Sequence, residues 1–261
     1  MTGPDLLALD FDGVLCDGLP EQFQTAWQAY CSLWQPREAT PPQALASQFD
    51  RLRPIVAVGW EMPVLLAALQ AGVPEARIWQ DWLGVAHKVM AAQQLEGAIV
   101  ARVLDAVRDE QIATDPAAWL DQHRFYPGVV GRLQALLAAP GLTVLVVTTK
   151  EERFARRLLQ QAGVSFPAGA IWGKECQQPK TETLRQLLAQ HQPAALWFVE
   201  DRLETLQSVQ QQLDAPNLRL FLAQWGYNTE RARAQAQAEP GIQPLSLECF
   251  LADCAHWLPA H

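Results

Sequence analysis

Two acidic residues near the start of the chain, Asp10 and Asp12, follow the apolar run 6–9 and precede Gly13. The apolar run predicts a buried strand, so Asp10 is expected at its carboxyl end, where open α/β sheets bind ligands. Two carboxylates this close repel each other, and oxygen ligands suit a hard cation such as Mg²⁺. The structural alternatives are an Asp-Gly hairpin turn and a calcium loop, although Leu15 stands where that loop requires glycine.

A second acidic pair, Glu200 and Asp201, directly follows the apolar run 196–199. Unpaired acids at the end of a buried strand are energetically costly, and a shared metal ion would remove that cost. Asp201 is the preferred ligand in this segment, followed by Glu200 and then Glu204. The alternative is that one acid caps the next helix and the other is a surface residue.

Two further stretches carry side chains that could bind phosphate: Thr148 ends the apolar run 144–147, and Lys180 follows Pro179 at the start of a predicted helix. A hydroxyl just before a helix N-terminus can hold a phosphate oxygen, and a lysine can neutralise its charge. The alternatives are an ordinary helix cap and a solvated surface lysine. Because the chain has only four lysines, each one near a motif is informative, and Lys174 competes with Lys180 for this role.

In order along the chain, these stretches resemble the four motifs of the haloacid dehalogenase-like (HAD) superfamily. Asp10-Phe11-Asp12-Gly13 resembles the first motif, Thr148 the second, Lys180 the third and Glu200-Asp201 the fourth. The third motif departs from the common Lys-Pro order, because proline precedes lysine here. The resemblance extends to phosphoglycolate phosphatases and β-phosphoglucomutases. It implies a Rossmann-like α/β core, with a doubly wound parallel sheet, and an inserted all-helical cap of the C1 type.

The resemblance implies a Mg²⁺-dependent phosphatase that hydrolyses a small phosphate monoester through an aspartyl-phosphate. Asp10 would be the nucleophile, and Asp12 would protonate the leaving oxygen and then activate water. Two alternatives stay open: a sugar phosphate mutase of the same fold, and a HAD-fold binding or assembly protein with weak or lost catalysis. The implied metal ligands are Asp10, the backbone carbonyl of Asp12, Asp201 and Glu200, and the implied phosphate-binding residues are Thr148 and Lys180.

The resemblance implies that the cap sets substrate specificity. The candidates for that role in the insert are Arg53 and Glu61, together with Arg51. Arg51 and Arg53 stand close together, and arginine suits a second anionic group on a substrate because it is a planar bidentate donor. The alternative is that both arginines are solvated helix residues, because arginine readily occupies surfaces.

The pattern of elements places the motifs in two core segments around a helical insert. Helical periodicity dominates residues 21–120, with one continuous helix expected over 79–94. From residue 126 strands alternate with helices, which predicts a parallel doubly wound sheet of five strands, and helical stretches are expected at 229–238 and 246–257. The expected boundaries are core over 1–18, helical cap over 19–125 and core over 126–261.

Composition argues against other classes of protein. A formal net charge of −8 argues against nucleic acid as a partner. Five cysteines without a CxxC pair argue against a disulfide framework and favour a reducing cytoplasm. The N-terminus lacks the basic segment of a signal peptide, and no apolar run reaches the length of a membrane span. The sequence therefore predicts a cytoplasmic protein acting on a small molecule, and it leaves the physiological substrate and the oligomeric state open.

Overall fold

The computed structural model describes residues 3–258. They divide into two compact units: one contains the chain up to Asp17 and from Arg124 onward, and the other contains Gly18–His123. Residues 1–2 and 259–261, which the expected core segments include, lie outside the described residues. The first unit carries all four motifs, and the second carries the expected specificity residues.

The first unit is built on strands. Among the described residues, six strands form a parallel sheet in the order β5-β4-β1-β6-β7-β8, and β2 pairs antiparallel with β3. The strands in chain order are β1 (Leu6–Leu9), β2 (Cys16–Asp17), β3 (Arg124–Phe125), β4 (Thr143–Val147), β5 (Ile171–Trp172), β6 (Leu196–Glu200), β7 (Leu218–Ala223) and β8 (Ile242–Leu245).

The central position of β1 determines where the motifs meet. Its residues are all buried, and it pairs in parallel with β4 and β6, so that Leu9 lies beside Val146 and Val199. The carboxyl ends of neighbouring parallel strands meet at one edge of a sheet. Residues at positions 10 and 200 are thereby brought to the same edge. The predicted fold class, a Rossmann-like α/β core with a helical insert, is confirmed.

Helices make up the second unit, and their apolar faces form one core that includes Trp27, Phe49, Leu65 and Leu104. No strand lies within Gly18–His123, all of which the structure describes. A 3-10 turn, Arg53–Ile55, follows the second helix. The helices are α1 (Leu19–Trp34), α2 (Leu45–Leu52), α3 (Glu61–Gln70), α4 (Glu75–Gln80), α5 (Trp82–Ala92), α6 (Gly97–Thr114) and α7 (Pro116–Leu120).

The continuous helix expected over 79–94 is wrong, because Asp81 separates α4 from α5. Its backbone angles, φ −153° and ψ 63°, are not helical, and its Oδ1 accepts a hydrogen bond from Gly84 N–H at 3.1 Å. A Cβ added at Gly84 would lie 2.4 Å from Asp81 Oδ2, so glycine permits this close approach. Apolar residues continue in helical spacing across the break, and the periodicity alone therefore does not reveal it.

Helices of the first unit connect its strands, as a doubly wound sheet requires. Within residues 3–258 no helix is long and apolar enough to cross a membrane. All five cysteines are free thiols. The helices are α8 (Val129–Ala138), α9 (Glu152–Gln161), α10 (Lys180–His191), α11 (Leu203–Gln212), α12 (Glu230–Ala238) and α13 (Leu247–Leu251).

The last part of the chain differs from the prediction. The sheet has a further strand, β8, which contains Pro244 and pairs with β7 only. Proline is tolerated on an edge strand because the missing N–H is not needed for a second partner. The helix expected over 246–257 is shorter, because it ends at Leu251 and a 3-10 turn, Cys254–His256, follows, capped by the Asp253 carboxylate.

Candidate active site

Asp10 occupies the centre of the site, immediately after β1. The residue is only 6% exposed. Its Oδ1 accepts a hydrogen bond from Phe11 N–H at 2.7 Å, and its Oδ2 lies 2.8 Å from Lys180 Nζ. The carboxylate is therefore held by two donors and shielded from water, a setting in which electrostatic interactions are strong.

Lys180 is the lysine that contacts this carboxylate. It is the first residue of α10, and its Nζ also lies 2.6 Å from Glu200 Oε2. Lys174, its competitor, is exposed in the 3-10 turn Lys174–Cys176. The structure thus brings the predicted lysine of the third motif to the acids of the first and fourth motifs.

Three buried acids, Asp10, Glu200 and Asp201, form a cluster that could hold a metal ion. Each offers one carboxylate oxygen, and these atoms lie within 4.8 Å of one another. With Lys180 the cluster carries three negative charges and one positive charge, a formal excess of −2 in a buried place. Hard oxygen ligands and this excess fit a divalent cation such as Mg²⁺.

Burial changes the protonation of these groups. Desolvation raises the pKa of Asp10 to about 7, against the opposing effect of the Lys180 charge. Desolvation and the nearby Asp10 charge raise the pKa of Asp201 to about 6, and burial also raises the pKa of Glu200. Burial alone would lower the pKa of Lys180, but the attraction of Asp10 and Glu200 outweighs it and raises that pKa. Without metal, burial therefore shifts the three carboxyl groups toward their protonated forms, while the two acids nearest Lys180 favour its charged form.

Asp201 is positioned by the loop that follows β7. Its Oδ2 accepts a hydrogen bond from Tyr227 N–H at 2.6 Å, and its backbone carbonyl accepts one from Asn228 Nδ2 at 3.0 Å. A Cβ added at Gly226 would lie 2.3 Å from Asp201 Cβ, and one at Gly13 would lie 2.1 Å from Asp201 Oδ2. Both glycines are therefore needed for the close approach of this acid, and sequence reasoning did not identify the loop.

Asp12 contacts a lysine that sequence reasoning did not assign to the site. Lys150 Nζ lies 3.2 Å from both carboxylate oxygens of Asp12. The Asp12 side chain is 20% exposed and the Lys150 side chain 7%. The available signal was that Lys150, one of four lysines, follows Thr148 by two positions. The backbone carbonyl of Asp12 as a metal ligand stays a prediction.

Thr148 is buried at the end of β4, as expected for the second motif. Its backbone N–H donates to Trp172 O at 2.9 Å, and its Oγ1 accepts a hydrogen bond from Lys150 N–H at 3.1 Å. The hydroxyl proton is consequently available to donate to another acceptor. Its role in phosphate binding stays a prediction.

The charged candidates outside this cluster have other surroundings. Arg53 Nε donates to Gln22 Oε1 at 2.5 Å, and its Nη1 donates to Val56 O at 3.2 Å. Glu61 is buried, and its Oε2 accepts from the backbone N–H groups of residues 57 and 58 at 2.5 and 3.3 Å. Both side chains thus support turns within the helical unit. Their contact with substrate stays a prediction.

Two of the less favoured candidates lie on the surface. Arg51 Nη2 pairs with Glu75 Oε1 at 2.6 Å, and its side chain is 57% exposed. The Glu204 side chain is 71% exposed and lies 3.7 Å from Arg202 Nη2. Glu204, the third choice of ligand in its segment, is therefore not among the residues of the buried acid cluster.

Comparison with known proteins gives a family and a fold. Residues 4–241 match the family model described as haloacid dehalogenase-like hydrolase. A predicted phosphatase from Clostridium acetobutylicum is 14% identical, with a TM-score of 0.61 over 96% of this chain and 97% of that chain. A predicted phosphoglycolate phosphatase from Haemophilus somnus is 19% identical, with a TM-score of 0.56 over 88% and 89%. No curated protein matches the chain. Identities this low establish a shared fold only.

Proposed function

Because the chain belongs to the haloacid dehalogenase-like hydrolase family, we propose that it is a Mg²⁺-dependent phosphatase acting on a small phosphate monoester. The predicted family and the predicted hydrolase class are confirmed by the match. The observation that carries the proposal is the surroundings of Asp10, a buried carboxylate 2.8 Å from Lys180 Nζ and grouped with Glu200 and Asp201. A carboxylate nucleophile beside such a cation suits attack on a phosphoryl group, whose charge the cation would balance.

The first half of the proposed reaction transfers the phosphoryl group to the protein. A carboxylate oxygen of Asp10 attacks phosphorus, the bond from phosphorus to the ester oxygen breaks, and that oxygen takes a proton from Asp12. Lys180 provides positive charge beside the attacking carboxylate. Thr148 would donate its hydroxyl proton to a phosphoryl oxygen, since its own oxygen already accepts from Lys150 N–H.

The second half regenerates the protein. Asp12, now ionised, takes a proton from a water molecule as that water attacks the phosphorus of the aspartyl-phosphate. The bond between phosphorus and the Asp10 oxygen breaks, inorganic phosphate leaves, and both carboxyl groups return to their initial states. Asp12 thus serves first as acid and then as base. This requires its carboxyl group to lie within hydrogen-bond distance of the leaving oxygen in the first step and of the attacking water in the second.

When bound, Mg²⁺ would supply positive charge to the phosphoryl oxygens. Asp10 and Asp201 are the proposed side-chain ligands, with the backbone carbonyl of Asp12. Glu200 is assigned a supporting role rather than that of a main ligand, because both of its oxygens have partners. Its Oε2 contacts Lys180 Nζ at 2.6 Å, and its Oε1 accepts from Arg202 N–H at 3.1 Å. The acid thereby holds the lysine that faces the nucleophile.

The two alternative functions differ in their support. A binding or assembly role depended on the inverted Pro179-Lys180 order, yet Lys180 contacts both Asp10 and Glu200. That contact favours a working site. A sugar phosphate mutase would use the same residues, Asp12 included, and it is separated from a phosphatase by its product.

The test is hydrolysis of p-nitrophenyl phosphate by the purified protein with Mg²⁺ and with excess chelator. We expect turnover with Mg²⁺ only, and none by the Asp10→Asn variant, which retains the shape of the side chain. A panel of phosphorylated metabolites then addresses the substrate; 2-phosphoglycolate belongs in it because of the name of the Haemophilus somnus structure. Release of inorganic phosphate identifies a phosphatase, whereas an isomerised sugar phosphate identifies a mutase. Absence of turnover on every ester would contradict the proposal.

A further inference from the structure

We infer that Lys150 is a positioning residue that holds Asp12 in place for proton transfer. This inference rests on the proposed function, in which Asp12 exchanges a proton with the leaving oxygen. Lys150 Nζ lies 3.2 Å from Asp12 Oδ1 and 3.2 Å from Asp12 Oδ2. One ammonium equidistant from both oxygens constrains the position of the carboxylate and the direction in which it points.

The ammonium of Lys150 is shielded from solvent, which strengthens this contact. Its side chain is 7% exposed, and its Nζ lies 5.9 Å from the centroid of the Phe11 ring. Once Asp12 has given its proton to the leaving oxygen, its contact with Lys150 joins two charged groups. Such a hydrogen bond is stronger than one between neutral groups, and water competes less with it in a shielded place. Asp12, with 20% of its side chain exposed, therefore has a hydrogen-bond partner that is itself shielded from solvent.

The backbone of Lys150 is held at both ends of the residue. Its N–H donates to Thr148 Oγ1 at 3.1 Å, and its carbonyl accepts from Lys174 N–H at 3.0 Å. The adjoining loop comes so close that a Cβ at Gly173 would lie 2.8 Å from Lys150 O and 2.5 Å from Glu152 N. The side chain therefore extends from an anchored point rather than from a mobile loop.

This placement gives the second motif two tasks. Thr148 is the proposed donor to the phosphoryl oxygens, and Lys150, two residues later, orients the acid at the leaving oxygen. Proton transfer requires the acid within about 2.6–3.2 Å of the oxygen it protonates. A displacement of about 1 Å can cost about 10²-fold in rate. Lys150 acts through Asp12, so its effect depends on how much the leaving group needs a proton.

The test compares p-nitrophenyl phosphate, whose leaving group needs little protonation, with an alkyl phosphate, whose leaving group needs it. The quantity is kcat/KM, which covers only the steps up to release of the leaving group. Lys150→Met should lower kcat/KM on the alkyl phosphate by about 10–100-fold, within the ~10²–10⁴-fold that general acid catalysis contributes. The decrease in kcat/KM on p-nitrophenyl phosphate should be several-fold smaller. Lys150→Arg, which keeps the charge, should retain more kcat/KM on the alkyl phosphate than Lys150→Met does.

Three controls make the outcome specific. Lys174→Met removes a charge from the adjoining exposed loop and should leave kcat/KM unchanged on both substrates. Lys150→Gln provides a polar neutral variant in case the methionine variant does not fold, and it should show the same dependence on the leaving group. In an Asp12→Asn background, Lys150→Met should cause little further change in the ratio between the two substrates, because the two residues act as one unit.

Equal losses on the two substrates, or no loss on either, would overturn the role of Lys150 while leaving the phosphatase proposal intact. Full additivity of Lys150→Met and Asp12→Asn would also overturn it, because the lysine would then act independently of the acid. Failure of the wild-type protein to hydrolyse either ester would instead overturn the proposed function, and this inference with it.

Discussion

Lys180 Nζ lies 2.8 Å from Asp10 Oδ2, so the lysine reaches the proposed nucleophile although proline precedes the lysine in the sequence. Pro179 has an extended backbone, with φ −62° and ψ 150°, and it occupies the N-cap position of α10. Proline is well tolerated at the start of a helix, because N–H groups there have no partner within the helix. The inverted order is therefore compatible with the lysine position that the site requires.

Replacement of Lys180 should impair both stability and turnover. Lys180→Met leaves Asp10 and Glu200 buried without their cation, and loss of one partner of a buried ion pair typically costs about 3–5 kcal/mol. We expect a lower free energy of unfolding without metal and loss of p-nitrophenyl phosphate hydrolysis with metal. Lys174→Met is the matched control, because that lysine is exposed. The opposite pattern would place the third motif at Lys174.

Asp201→Asn should weaken Mg²⁺ binding without destabilising the metal-free protein. The substitution removes one negative charge from the buried acid cluster and keeps an oxygen that can accept from Tyr227 N–H. Thermal unfolding without metal should therefore occur at the same or a higher temperature. The Mg²⁺ concentration for half-maximal activity should rise by ~10–100-fold or more, the loss typical for partners of metal ligands. Wild-type activity at low Mg²⁺ would contradict Asp201 as a ligand.

The stability of the metal-free protein should decrease as pH rises from about 4 to about 7. The pKa of Asp10 is raised to about 7 and that of Asp201 to about 6, from an ordinary value of 3.8. In this range these two groups bind more protons in the folded protein than in the unfolded chain, so their contribution to the free energy of unfolding falls with increasing pH. Urea unfolding at several pH values, in chelator, measures this slope.

Mg²⁺ should reverse that trend, because the cation competes with protons for the same carboxylates. The increase in unfolding temperature on adding Mg²⁺ should be larger at pH 7.5 than at pH 5. The Asp10→Asn, Asp201→Asn double variant is the control, and both the pH slope and the effect of Mg²⁺ should be smaller in it. An effect of Mg²⁺ that is independent of pH would show that the ion stabilises the protein elsewhere.

The sequence predicted that Asp10, Thr148 and Glu200 lie at one edge of the sheet, because all three stand where a buried parallel strand ends. Asp10, Thr148 and Glu200 each end an apolar run that forms a parallel strand, and parallel neighbours bring such ends together. Each residue was predicted from its own strand end alone, and the parallel pairing of the strands brings these ends together. Lys180 needed one more assumption, that a lysine beginning a nearby helix reaches the same edge.

The contacts that were not predicted depend on three-dimensional packing. Lys150 and Asp12 are 138 positions apart. The scarcity of lysine and the nearness of Lys150 to Thr148 were signals for a role in the site, but they do not predict that the lysine contacts Asp12. The Tyr227 loop supports Asp201 through a backbone N–H, which every residue but proline possesses. The break at Asp81 was not predicted because a single polar residue within an apolar helical period does not show that the helix ends. The edge strand β8 was not predicted because proline within a short apolar run argues against a strand.

Arg53→Ala tests whether the arginine serves the helical unit, the substrate, or both. The side chain joins α1 to the turn after α2, with Nε 2.5 Å from Gln22 Oε1 and Nη1 3.2 Å from Val56 O. Loss of these hydrogen bonds should cost about 1–3 kcal/mol and lower the unfolding temperature by several degrees. Arg51→Ala is the matched control, because its ion pair with Glu75 is exposed and contributes little.

A role of Arg53 in specificity would add a second effect that stability does not explain. The KM for the best metabolite of the panel should rise in Arg53→Ala, while the KM for p-nitrophenyl phosphate, which lacks a second anionic group, should be nearly unchanged. Measurements well below the unfolding temperature of the variant keep the two effects apart. A lower unfolding temperature with unchanged KM for both esters would assign Arg53 to the packing of the helical unit alone.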